Sequence, residues 1–487
     1  MTEVEAGSGE WAAPRSTTAL WTLSATELLA ALRGGTVTAA SIMESVLDRV
    51  AAVNPLLNAF VEVDSAGALK AAHAADDAYR RGGAGPLSGI PFSVKDLHPV
   101  RGMRTGHGRA VRETEPDTED DLVVERLRAA GAIPFGKTRS PEQGYSYSSM
   151  SSDGVAARTP WRLDYGAGGS SSGAAAAVAA GMGPLALGSD GGGSIRVPAA
   201  LCGVVGLKPS FGRIPAFPVA DAFTAPRVHI GPLARTVADA ALFLQVAQGA
   251  DSRDPFSWSD PMEAGLAARR PGPLRLAWTE SPQGAPPVDP EVAAITGEAA
   301  RRLAQALGSA PPTPSSGWED QSEVQRVLWE CGLAMRYPGP VDSSCPAPLR
   351  RLVQRGRTWS MADLGAAGRA RTRLFHHFRE FFENWDVLMT PTCPVAGWPH
   401  DRTPGLTPGR EDALLSGAAV YPFNLTGNPA ITLPAGWTCG GLPVGLQLIT
   451  GWRADPLLLE VAHVFEQVRP WTSRRPVLRL PDSGNGG

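Results

Sequence analysis

The sequence predicts an α/β protein, a β-sheet with helices on both faces. Helical and strand-like segments alternate as far as about residue 250, which is the pattern such a sheet produces. Strand pattern restarts at Leu274-Arg-Leu-Ala-Trp278 and again at Asp386-Val-Leu-Met389, with the helix Glu291–Leu307 between them. No apolar run approaches the ~20 residues of a membrane-spanning helix, so these segments read as parts of a soluble globule.

The elements follow in order. Residues 1–20 read as a loose arm. Ser24-Ala-Thr-Glu27 has the form of a capping box, in which a hydroxyl and a carboxylate each satisfy an orphaned N–H, and it opens the first helix. Thr38 opens a second, whose Ile42, Val46, Val50 and Val53 recur at helical spacing. Ile90-Pro-Phe-Ser-Val-Lys-Asp96 alternates as a strand does and carries Lys95 at its end. Ala174–Ala180 forms an alanine-rich helix, followed by the apolar run Leu185-Ala-Leu187. Ser309–Gly317, SAPPTPSSG, is rich in Pro and Ser and reads as a linker. Residues Glu319 to Asn384 are mainly helical, and the terminal PDSGNGG is expected to fray. One catalytic-sized domain over residues 21–470, with an insertion at about 310–385 and a tail at 471–487, accounts for this organisation.

Composition excludes several classes. Charged residues are 19% of the 487 and the net charge is −3, which leaves no electrostatic footprint for nucleic acid. The five cysteines, Cys202, Cys331, Cys345, Cys393 and Cys439, are scattered and odd in number, as suits a reducing compartment. The N-terminal MTEVEAGSGEWAAP is acidic and has no apolar export core, so the cytoplasm is the expected location. The eight histidines show no metal spacing. His376 and His377 are adjacent, so they point about 100° apart on a helix and cannot hold one ion together. No metal and no cofactor is expected.

The most informative stretch runs from Gly168 to Ser194, GGSSSGAAAAVAAGMGPLALGSDGGGS. Ser170 and Ser194 each sit in a glycine-rich turn. Glycine permits positive φ and lets a ligand approach main-chain N–H groups that a Cβ would shield. Such a turn suits a nucleophilic hydroxyl beside donors for an oxyanion. A flexible Gly/Ser linker would not run directly into the helix and strands that flank these turns. Lysine usage is a second clue. Only four of the 45 basic residues are lysines: Lys70, Lys95, Lys137 and Lys208. Arginine stays protonated, whereas a buried lysine can lose its proton and act as a base. Lys95, at a strand end, is the best placed to do so.

With their surroundings, these residues resemble the amidase signature family. The resemblance rests on Lys95-Asp96, Gly168-Gly-Ser-Ser171, Gly188-Ser-Asp-Gly-Gly-Gly-Ser-Ile-Arg-Val-Pro198 and Cys202-Gly-Val-Val-Gly-Leu-Lys-Pro209. It extends from about Leu23 to Glu466 and takes in Gly136-Lys-Thr138, Gly231-Pro-Leu-Ala-Arg-Thr236, Asn424-Leu-Thr-Gly-Asn-Pro429 and Gly441-Leu-Pro-Val-Gly-Leu-Gln447. Each motif alone is weak; their order and spacing together are specific.

The resemblance implies an α/β/α sandwich around a mixed, largely parallel, many-stranded sheet, with residues 310–385 as a helical cap beside the site. It implies a Ser-Ser-Lys triad in which Ser194 is the nucleophile, Ser170 the bridging serine and Lys95 the base. The N–H groups around Gly191, Gly192, Gly193 and Ser194 would form the oxyanion hole, and the Gly169–Ser170 peptide bond would be cis. Asp190 and Arg196 flank the nucleophile and are expected to pair and stiffen its loop. Lys137 and Lys208 match motif positions without a catalytic role, and Lys70 is expected to be solvated. The implied reaction is hydrolysis of an amide, anilide or carbamate through a seryl acyl-enzyme. The partner is then a small molecule, not nucleic acid or a membrane; a homodimer is allowed.

Two positions depart from the family pattern. Leu97-His98 stands where a small polar residue such as Asn is frequent, and Ser172 replaces a glycine. The pocket is therefore not transferable from a subgroup. Tyr145, Tyr147, Met150, Phe217, Phe223, Trp329 and Tyr337 fall in loops or cap segments; they line the pocket, favouring an aryl or alkyl substituent, or pack as core. Two other readings stay open. One is the glutaminase component of a tRNA-dependent amidotransferase, which shares the triad. The other is a catalytically silent binding protein on the same scaffold, against which the three retained residues argue.

Overall fold

A computed structural model describes residues 19–110, 115–218, 228–260, 271–402 and 417–478. Residues 1–18 of the expected arm, Phe223 and residues 479–487 of the expected tail lie outside this set. The strands are β1 (Phe60–Val63), β2 (Pro91–Lys95), β3 (Ile133–Thr138), β4 (Leu185–Asp190), β5 (Val205–Lys208), β6 (His229–Ala234), β7 (Leu276–Trp278), β8 (Thr313–Pro314), β9 (Val387–Pro391), β10 (Ala430–Trp437) and β11 (Pro443–Thr450). The helices are α1 (Ala25–Arg33), α2 (Ala39–Leu57), α3 (Ser65–Arg80), α4 (Leu122–Ala129), α5 (Ser172–Ala179), α6 (Arg196–Cys202), α7 (Val237–Ala247), α8 (Pro290–Leu307), α9 (Ser322–Arg336), α10 (Ala347–Gly356), α11 (Met361–Asn384), α12 (Pro422–Thr426) and α13 (Asp455–Val468).

Local chemistry sets the early elements as the sequence implies. Ser24 Oγ accepts from Glu27 N, and Glu27 Oε2 accepts from Ser24 N at 2.7 Å, a complete capping box. Thr38 caps α2, and Ile42, Val46, Val50 and Val53 are all buried on one face. Both helix starts gain a second, distant acceptor: Asp239 takes the N–H groups of Ala25 and Thr26, and Asp76 those of Ala39 and Ala40.

The strands form one mixed sheet in the order β1-β3-β2-β4-β6-β5-β10-β11-β9-β7-β8. The α/β/α layering holds, but the sheet is not largely parallel. β2 pairs in parallel with β3 and β4, and β7 with β8 and β9; the other six pairings are antiparallel. Connection length is one reason: five residues join β10 to β11, too few for the crossover of a dozen or more that a parallel pair requires. The segment read as a linker also differs, since it supplies β8, paired with β7 through Ala277 and Thr313. Pro314 lacks an N–H and is tolerated there because β8 ends the sheet.

The topology fixes where a site can form. β2 and β4 are parallel neighbours in register from Phe92–Leu185 to Val94–Leu187, so Lys95 and Asp190 emerge at the same end of the sheet. α5 and α6 follow the two glycine-rich turns and pack on each other. Every residue of α5 is buried, and its small side chains let it lie close to its neighbours: a Cβ on Gly173 would be 2.2 Å from Ala59 O. α9, α10 and α11 pack together beside this end, where Trp318, Phe378, Tyr421 and Phe423 form a separate apolar cluster.

Candidate active site

Lys95 Nζ donates to Ser170 Oγ at 2.7 Å and to Ser189 O at 3.2 Å. The side chain is buried, and burial pushes its ammonium down to about 7, against the opposing pull of the Asp190 carboxylate. An amine poised there is neutral for part of the time at physiological pH and can take a proton from Ser170. Of the three consecutive serines, Ser170 is the one that meets Lys95. Ser171 Oγ donates to Ser189 O at 3.2 Å and Ser172 Oγ to Arg139 O at 3.1 Å. Ser171 N donates to Ser194 O at 3.0 Å, which joins the two serine turns. The Gly169–Ser170 peptide bond is cis. Position 169 requires glycine, because a Cβ would stand 2.4 Å from Ser148 O.

Asp190 and Arg196 are fully buried and form a doubly bonded ion pair, Nε to Oδ2 and Nη2 to Oδ1, each at 3.0 Å. Arg196 also reaches Val420 O, Gln447 Oε1 and Asn424 Oδ1 at 2.7–2.8 Å, and Asn424 Nδ2 returns to Asp190 Oδ1 at 2.8 Å. A buried charge pair needs such complete bonding to offset its desolvation. Burial by itself would raise the Asp190 carboxyl; Arg196, Asn424 and Lys208 outweigh it and hold it well below the usual carboxylate range.

This carboxylate also grips the backbone around Ser194. Gly193 N donates to Asp190 Oδ1 at 2.6 Å and Ile195 N to Oδ2 at 3.1 Å. Gly193 therefore leaves the oxyanion set expected from the sequence, since its N–H is already engaged. Its φ of 118° and a would-be Cβ 2.5 Å from Val420 Cγ2 explain the glycine instead. Among the described residues, no protein group accepts from the N–H of Gly191, Gly192 or Ser194. Tyr147 donates its hydroxyl to Gly192 O, bracing that turn from the other side.

Ser170, Ser194 and Gly191 line one cavity of about 570 Å³. Its walls are apolar at Phe211, Ile214, Phe217, Ile230, Phe256 and Trp329, with His98, His107, Asp121, Gln143, His229, Asp254 and Arg336 among its polar points. Phe217 and Trp329 thus occupy the place expected of them. Among the described candidates Tyr145, Tyr147 and Tyr337 do not line it: Tyr145 and Tyr337 pack in one cluster with Trp329, and Tyr337 donates to Glu142 Oε1 at 3.0 Å. Met150 pairs with Ala156 in an isolated bridge. Phe211 and Phe256 escaped sequence reading because loop residues carry no periodicity; Asn424 and Gln447 stood inside the family motifs without a role. His98 Nδ1 lies 2.9 Å from Asp121 Oδ2. Lys137 bonds His98 O and Thr105 Oγ1, Lys208 bonds Pro209 O and Asn428 O, and Lys70 is exposed. Among the described residues no helix is long and apolar enough to cross a membrane.

A serine turn with open N–H groups thus lies on the same cavity as a serine bonded to a buried lysine of lowered pKa. Residues 41–459 match the family model described as Amidase, and the chain belongs to that family of amidohydrolases. It is similar to the acylamidase of Rhodococcus erythropolis, 38% identical over 469 residues, 93% of this chain and 97% of the relative. It is also similar to a component of the glutamyl-tRNA(Gln) amidotransferase of Synechococcus sp. (strain WH7803), 35% identical over 489 residues, 91% of this chain and 97% of the relative. Among solved structures, a bacterial aryl acylamidase of the amidase signature enzymes matches with a TM-score of 0.83 at 28% identity, covering 93% of this chain and 97% of that one.

Proposed function

We propose that this amidohydrolase cleaves an amide, anilide or carbamate with an aryl or alkyl substituent, through an acyl-enzyme on Ser194. The observation that carries the reading is the buried 2.7 Å contact of Lys95 with Ser170, with the amine lowered to about 7. A serine hydroxyl is a weak nucleophile without an adjacent proton acceptor. Ser170 takes the Ser194 proton as it gives its own to Lys95, and Ser194 Oγ attacks the carbonyl carbon. The N–H groups of Gly191, Gly192 and Ser194 receive the oxyanion; one such donor supplies about 3 kcal/mol in a comparable site. Collapse breaks the C–N bond, and the leaving amine takes the proton back through Ser170. Water activated by the same relay then frees the acid.

Asp190 and Arg196 act as positioning residues, holding Ser194 through Gly193 and Ile195. α9 and the loop after it serve as the wall of the cap, since Trp329, Met335, Arg336 and Pro338 close one side of the cavity. The apolar walls favour a hydrophobic substituent, and the acylamidase relative supports that class. All five cysteines are free, which fits a cytoplasmic location. The similarity to a glutamyl-tRNA(Gln) amidotransferase component sustains a second reading, ammonia release from glutamine with a partner chain. Purified protein assayed on an anilide, an alkyl amide, a carbamate and glutamine separates the two. Turnover of an anilide by the isolated chain supports the first; turnover of glutamine only in the presence of a partner supports the second. Failure of a fluorophosphonate to label Ser194 would leave neither.

A further inference from the structure

Gln143 belongs to the short turn Glu142–Gly144, yet its backbone is left-handed at φ 52°. A residue with a Cβ rarely stays there unless its surroundings enforce it, and such positions concentrate at functional sites. The turn is held on both sides. Gln143 N donates to His107 O at 2.9 Å, while the Glu142 carboxylate accepts from Ser152 Oγ and from the Tyr337 hydroxyl of the cap. Gly144 brings this backbone against the proton relay: a Cβ on it would lie 3.0 Å from Ser170 Oγ. Gln143 itself lines the catalytic cavity. Among the described residues, no protein group hydrogen-bonds its carboxamide.

A carboxamide carries two donors and an acceptor. When a substrate fills the cavity the carboxamide loses its water, and leaving it unpaired then carries a desolvation penalty. An occupant that returns those bonds is selected over one that does not. We infer that Gln143 determines specificity by pairing with a second amide or carbamate group carried by the substrate near the scissile bond. The inference rests on the amidohydrolase reading and narrows its substrate class to compounds with two such groups.

Matched pairs of anilides test it, each pair differing by an amide in place of an ethylene unit, on the acyl side in one pair and the amine side in the other. Gln143→Gly removes the carboxamide and is at ease at this φ; Gln143→Asn keeps a carboxamide and tolerates the left-handed region. The readout is the ratio of kcat/KM within a pair, which cancels general damage to the protein. In at least one pair the ratio should fall about tenfold in the Gly variant and less in the Asn variant. Ratios within twofold of wild type in both pairs would overturn the inference. Affinities of the same pairs for Ser194→Ala protein, with and without Gln143→Gly, need no turnover. A preference for the diamide member that disappears with Gln143→Gly supports the inference even if wild type hydrolyses nothing, a result that would strike only the proposed function. Equal affinities in all cases overturn it.

Discussion

Replacing Lys95 with arginine keeps the positive charge and removes the proton acceptor, so it separates a base from a mere counter-charge. Burial lowers Lys95 from 10.5 to about 7. The neutral amine is then about half populated at pH 7, roughly nine-tenths at pH 8 and about one-hundredth at pH 5. Because the pKa is lowered, the active form gains with rising pH: kcat/KM of the wild type should climb about tenfold per unit below pH 7 and level off above it. Arginine stays protonated at any accessible pH, so it offers no free base in the same pocket. Lys95→Arg should therefore lose at least about a hundredfold in kcat/KM at pH 8, close to the loss in Lys95→Ala. The assay is initial-rate hydrolysis of an anilide from pH 5.5 to 8.5 for all three proteins. An Arg variant within tenfold of wild type, or a flat wild-type profile, would remove Lys95 from the relay.

Ser194→Ala should abolish turnover and fluorophosphonate labelling, whereas Ser170→Ala lowers turnover severely and leaves a residue if water bridges the gap; substantial activity without Ser194 would overturn the nucleophile. Asp190→Asn leaves Arg196 uncompensated in the interior and should cost about 3–5 kcal/mol of stability, read from denaturant midpoints; a loss under about 1 kcal/mol would show that the pair contributes little. Since the Asp190 carboxyl is held below its usual range, its stabilisation is full above about pH 4 and declines as pH falls further, so acid should narrow the gap between wild type and the Asn variant. Gly193→Ala meets both a φ of 118° and Val420 Cγ2, and should reduce kcat about a hundredfold or more through displacement of Ser194. An unchanged kcat would mean that the turn adapts.

What the sequence determined is local. The capping box at Ser24 and the Thr38 cap act within four residues, and the apolar face of α2 is a matter of period. Lys95 at the end of an alternating run, and two serines among glycines before helices, are likewise short-range patterns, and the structure carries Lys95, Ser170 and Ser194 to one end of the sheet. Periodicity states which face of an element is apolar but not which neighbour will cover it. Strand direction, the use of a proline-rich segment as β8, and the loop aromatics Phe211 and Phe256 on the cavity wall all depended on packing. So did every hydrogen bond between distant segments. Arg196 meets Gln447 and Asn424 across more than 200 residues, and Asp190 turns toward Gly193 N–H only because that network orients it. Donor and acceptor pairing follows from side-chain direction after packing, so only the tertiary structure could engage the Gly193 N–H with Asp190 and leave the carboxamide of the cavity-lining Gln143 without a protein partner among the described residues.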